Sequence, residues 1–192
     1  MRQRFNSLGL ALILAAFATV ACSDNEDSKR KAAERADQLV SKAVQDPNTP
    51  AQLATTNAAQ SELAKMLSTT DGQKKKELAA GAFLGYYYKH VDGYANYCLS
   101  RGVSIPNFVS TFSASHVLAY KQASRFLSVG DIRSAVAENA QKHAAASIED
   151  AARGYKITPA ELCKAFDSDA SNLVPHIHAS RIIPEVYAAL LK

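Results

Sequence analysis

Apolar residues recur three and four positions apart along most of this chain, and turn residues separate one such stripe from the next. That spacing places them on one face of a helix. The first stripe is Ala32, Ala33, Ala36, Leu39, Val40, Ala43 and Val44, with Glu34, Arg35, Asp37 and Lys42 on other faces, and Asp46-Pro47-Asn48 closes it. Thr49-Pro50 reads as an N-cap followed by a first-turn proline, so a second helix is expected from there to about Ser68. Its face (Leu53, Leu63, Ala64, Leu67) is diluted by Thr55, Thr56, Asn57, Gln60 and Ser61. After the turn at Asp71-Gly72, a third helix carries Leu84, Tyr87, Tyr88, Val91, Tyr94, Ala95, Cys98 and Leu99 on its apolar side and stops at Gly102.

Ile105-Pro106 opens a fourth helix, with Phe108, Phe112, His116, Val117, Tyr120 and Leu127 at helical spacing and Gly130 as its end. Asp131 is expected to cap a fifth, bearing Ile132, Val136, Ala140, His143, Ala144 and Ile148 and ending near Gly154. Thr158-Pro159-Ala160-Glu161 combines a capping box with a proline at the first helical position, ahead of Leu162, Cys163 and Phe166. From Ser171 the composition is helical but Pro175 and Pro184 interrupt it, which predicts short pieces. No segment alternates apolar and polar residues with the period of a strand. The expected fold is therefore all-α: a compact bundle of six to seven helices in one domain over residues 32–192.

Upstream of residue 32 the pattern differs. Arg2 and Arg4 precede a run from Leu8 to Ala21 that is apolar or small apart from Thr19, and polarity returns at once at Ser23. A basic start, a run too short to span a bilayer and small residues at its exit make a secretory signal over residues 1–21. Thr19-Val20-Ala21-Cys22 resembles the lipobox of bacterial lipoproteins, although that family usually has Leu where Thr19 stands. The resemblance implies a covalent diacylglycerol and acyl lipid on Cys22, which becomes the mature N-terminus, and no other cofactor. Family members held in the inner membrane tend to carry Asp directly after the cysteine. Ser23 occupies that place here, so the resemblance implies the outer membrane, facing the periplasm. Ala16-Phe17-Ala18 offers an ordinary signal peptidase a rival site. Residues 22–31 read as the lipidated cysteine and a polar tether, since Ser23 to Lys31 holds no apolar side chain.

Cleavage before Cys22 leaves 171 of the 192 residues and takes away two arginines, so the net charge falls from +4 to +2. Nucleic acid thereby loses its electrostatic argument as a partner. Lipidation of Cys22 also resolves the cysteine arithmetic, because it leaves Cys98 and Cys163 free to pair. Such a bridge would close a loop of about 65 residues, worth about 4 kcal/mol in the chain-entropy picture.

Other groups suggest chemistry less directly. His176 and His178 are the close histidine pair and a candidate metal grip, with Asp167 or Asp169 as third ligand, if the backbone is extended there. His90, His116 and His143 lie on or beside three different stripes and are expected to be hydrogen-bonded core or boundary residues. Ser113 and His116 are one turn apart, with no nucleophile elbow and no third member. Among the clustered tyrosines, Tyr86 and Tyr97 are expected to point away from the core, and with Lys89 and Arg101 nearby they would suit a protein-binding face. The function expected is a lipid-anchored, non-enzymatic binding or assembly domain of the cell envelope with a protein partner. The alternative is a periplasmic metal- or small-ligand-binding protein, or a hydrolase, with at least three histidines converging in the bundle.

Overall fold

A computed structural model describes residues 51–192, with side chains from Gln60 onward. Cys22, the signal, the tether and the helix expected at 32–44 lie outside the described residues. From Leu78 to Tyr86 every residue of one helix is buried, and that helix sets the architecture. It is α2 (Gly72–Tyr88), which follows α1 (Ala51–Thr69) after a turn that Gly72 makes with φ +58°. The stripe expected on one side of α2 is in fact a complete casing. Ala79, Ala80, Gly81, Ala82 and Gly85 keep the helix narrow, so neighbours approach on every side, as for a helix in the middle of a core.

The casing is made by elements distant in sequence. α5 (Val117–Ala123), α6 (Val129–Tyr155) and α10 (Pro184–Leu191) pack against α2, while α1 contributes Leu63 and Leu67 from its diluted face. The third helix of the sequence reading continues as expected, but through a π-turn at Lys89–Gly93 before α3 (Tyr94–Ser100). Leu99 leaves the expected stripe and is 65% exposed. The π-turn lies closely on α6. A Cβ built on Gly93 would stand 2.5 Å from the backbone oxygen of Ala140, so only glycine fits. Asp92 accepts both 2.7 Å hydrogen bonds of the Arg133 guanidinium across the same contact.

Two expected boundaries move. The helix read from Pro106 through Leu127 breaks at His116 (φ −110°, ψ 8°), giving α4 (Pro106–Ser115) and α5. Ser128, not Asp131, stands at the N-cap of α6, and Asp131 lies in its first turn. At the other end Lys156, not Gly154, takes the left-handed position, at φ 57°. The capping box is formed as expected on α7 (Pro159–Ser168): Thr158 N–H donates to Glu161 Oε2 at 2.7 Å, and Glu161 N–H to Thr158 Oγ1 at 3.2 Å. Cys98 on α3 and Cys163 on α7 form the disulfide, with Cα atoms 5.6 Å apart. The tail is in short pieces as expected: α8 (Ala170–Leu173), a 3₁₀ turn (Val174–Ile177), α9 (Ala179–Ile182) and α10.

Gly93→Ala is expected to destabilise the domain by about 2 kcal/mol, because the backbone it meets cannot step aside. Gly154→Ala, with nothing within 4 Å of its Cβ, should instead gain about 0.5–1 kcal/mol of helix propensity. Urea midpoints of the two variants check the contrast.

Candidate functional site

The proline-broken tail enters the core, so its freed backbone groups need partners there. Side chains from three other elements supply them. The Tyr86 hydroxyl on α2 donates to the carbonyl of Ile177, and Gln60 Nε2 on α1 donates to that of Ile182 at 3.0 Å. His116, at the α4–α5 break, accepts the buried N–H of Ala179 on Nε2 at 2.9 Å. His178 returns a bond from Nε2 to the Ser115 carbonyl at 3.1 Å, while its Nδ1 accepts the Ser180 N–H at 3.2 Å and caps α9. This overturns one expectation. Tyr86 is only 1% exposed, and its hydroxyl serves the tail instead of a protein-binding face.

Behind these bonds the rings form a column. Tyr94 meets His90 at 4.9 Å between centroids, His90 stacks on Phe112 at 4.7 Å, Phe112 on His116 at 4.2 Å, and His116 on His178 at 4.4 Å. Tyr187 closes it edge-on at 5.3 Å from His178. The histidines therefore gather, but not as ligands, since Phe112 is inserted between His90 and His116. Their tautomers follow from their partners. His90 Nδ1 donates to the Tyr86 carbonyl and His116 Nδ1 to the Phe112 carbonyl, each at 2.8 Å, so both Nε2 atoms carry lone pairs. Burial pushes the His116 imidazole down to about 4, with the charge of His178 adding to it. Burial, then Lys89, drives His90 well below the usual histidine range. Ser113 meets His116 only through its carbonyl, which accepts the His116 backbone N–H at 3.2 Å. The hydroxyl at the imidazole is that of Ser115 (Oγ to Nδ1, 2.9 Å), which meets a nitrogen already bearing its proton, so no activated hydroxyl results.

Next to the column is the polar group that sequence reasoning missed. Lys89, expected near an exposed tyrosine face, is 1% exposed at the start of the π-turn. Its Nζ and His90 Nε2 are the two buried side-chain polar atoms with no hydrogen-bond partner among the described residues. The Lys89 Nζ stands 5.8 Å from the centre of the Tyr94 ring, and burial lowers its pKa to about 7. His143, half-buried on α6, is held at about 4 by burial, then by Lys89 and Lys142. The amine is thus a half-neutral base in an apolar setting, within a kind of turn that recurs at functional sites. The available signal was its position three residues after Tyr86 and five before Tyr94, inside an otherwise apolar stretch.

The remaining candidates are engaged elsewhere. Tyr97 is 5% exposed, contrary to expectation, and donates to Glu149 at 2.9 Å. Arg101 lies over the Tyr97 ring at 5.1 Å and pairs with the same carboxylate at 3.2 Å, so these two residues meet each other and not Tyr86. His178 has both nitrogens occupied, and His176 Nδ1 lies 3.4 Å from Arg181. Asp167 accepts the N–H groups of Asn107 and Phe108 at the start of α4, at 2.7 and 3.2 Å. Asp169 accepts from Asn172. Among the described residues, no three His, Cys, Asp or Glu side chains are placed to hold a metal, and no helix is long and apolar enough to cross a membrane. Comparison with protein-family models, curated proteins and solved structures finds no match to this chain.

Lys89 should make stability depend on pH. Its folded value lies below its unfolded one (about 7 against 10.5), so its contribution is complete above pH 10.5 and is lost as pH falls to 7. From pH 9.5 to 7 unfolding free energy should fall by about 3 kcal/mol, and Lys89→Met should abolish that slope. Urea unfolding of both proteins at the two pH values measures it.

Proposed function

We propose that this chain is a lipoprotein of the bacterial cell envelope, anchored through lipid on Cys22, whose helical domain binds a protein partner and performs no catalysis. The observation that carries the reading is the Cys98–Cys163 bridge. With those two cysteines paired, Cys22 is the remaining one, and it sits at the end of the lipobox-like segment. A bridge between two helices also suits an oxidising compartment such as the periplasm. Outer-membrane placement rests on Ser23 alone.

The binding role is supported by what the surface offers. Leu118 (68% exposed) and its neighbour Val117 open α5 toward solvent as two adjacent exposed apolar side chains, and Leu118 is more exposed than Leu99 on α3. The alternative of a histidine site with a shared ligand has less support, because Phe112 separates His90 from His116, and all four ring nitrogens of His116 and His178 are committed to backbone partners.

Expression of the full chain in a bacterium with labelled palmitate tests the anchor. Lipid should appear on the wild type, which should sediment with membranes, and should be absent from Cys22→Ala. Unlabelled wild type cut after Ala18 would refute it. For the binding role, a stoichiometric envelope protein should co-purify with the wild type. Leu118→Glu should lose it at unchanged melting temperature, and equal capture by both would remove α5 from consideration.

A further inference from the structure

We propose that His116 and His178 form an acid-sensitive latch that holds the segment from Val174 to Ile183 against the core and lets it go on protonation. Each ring accepts a backbone N–H through one nitrogen: His116 Nε2 from buried Ala179, and His178 Nδ1 from Ser180. Each donates through the other, to the carbonyls of Phe112 and Ser115. An imidazole can do both only while neutral, since its cation has two donors and no acceptor. A proton taken from solvent by His116 turns an accepted hydrogen bond into a donor facing a donor. At His178 the Ser180 hydroxyl, 2.8 Å from Nδ1, can turn to accept a new N–H, so His116 carries the acid response and His178 is the second clasp.

Among the described residues, the titratable groups facing His116 offer such charge no relief. Tyr86 faces His116 from α2 at 6.2 Å between ring centres, His90 stands behind Phe112, and Tyr187 faces His178 from α10. The tyrosines are neutral in acid and His90 can only add positive charge. In the tail itself His176 meets Arg181, another cation. The bonds left to the segment, from Tyr86 to Ile177 and from Gln60 to Ile182, do not titrate in this range. Cys163 lies before the segment, so the disulfide retains α7 and leaves the tail free to move.

The sign follows from His116, whose value is about 4 in the closed state and 6.5 when released. Closure is fully favoured above pH 6.5 and weakens as pH falls toward 4. Lys89 does not mimic this, because its penalty is already in place below pH 7. For His116 alone, the open-to-closed ratio should rise about 50-fold between pH 7 and pH 4.5.

Amide hydrogen exchange on the purified full chain, bridge intact and corrected for intrinsic rates, tests the latch. Ala179 and Ser180 should lose protection by about that factor, well beyond any loss in residues 140–148 of α6, where burial holds His143 at about 4 and acid acts on the core as a whole. His116→Gln sets an oxygen where Nε2 stands, and His178→Asn sets one where Nδ1 stands; both accept at any pH. The double variant should therefore show no acid loss. Should His116→Gln fail to fold, His178→Asn alone, at a helix cap that favours asparagine, leaves His116 in place and should keep the about 50-fold loss. Unchanged protection of Ala179 at pH 4.5 would overturn the proposal. An equal loss in the tail and α6 would do so too, since that is global acid unfolding.

Discussion

A backbone that leaves its helix inside a core must find a partner for every amide and carbonyl it frees, and much of this domain is arranged around that demand. The stretch from Pro175 to Pro184 cannot run as one continuous helix, yet Val174, Ala179 and Ile183 are buried. Tyr86, His116 and Gln60 answer it from three other elements, and His178 from within the stretch. The break at His116 belongs to the same solution, because the turn there presents the imidazole to Ala179 and the Ser115 carbonyl to His178. These polar side chains lie among aromatic rings for a structural reason, and their ring faces supply packing while their edges supply hydrogen bonds.

The π-turn sets a second, opposed condition. It brings the backbone of Gly93 against α6 and fixes the contact with the Asp92–Arg133 pair, but it also carries Lys89 Nζ and His90 Nε2 inward without hydrogen-bond partners among the described residues. Two unsatisfied nitrogens are a standing cost. The disulfide between α3 and α7 works in the other direction by restricting the unfolded chain on the C-terminal side of that turn. A domain carrying both tolerates a polar interior that a less constrained one of this size could not.

Much of the fold was legible in the sequence because helix signals are local. The Thr158–Glu161 box, Pro106 and the pairing of Cys98 with Cys163 each follow from neighbouring residues or from parity. What was not legible depends on distant partners. Periodicity assigned one buried face to α2, whereas Ala79, Ala80, Gly81 and Gly85 are inner positions because α5, α6 and α10 all return to pack against that helix. Tyr86 looked like a surface tyrosine because the carbonyl it serves is 91 residues away. Lys89 looked solvated because charged side chains usually are, and the π-turn that rotates it inward leaves no mark in composition. The terminus carries a motif with its own chemistry, so Cys22 needed no fold to be noticed.

The encased position of α2 has a consequence for how the chain acquires its shape. Its covering comes from residues up to a hundred positions downstream, and the final side, made by Val186 and Leu190 on α10, exists only when nearly the whole chain is available. Contacts of such long sequence separation form late and slowly. During synthesis the most deeply buried helix of the domain therefore lacks its last cover until the residues of α10 are made, so the native core cannot close before then.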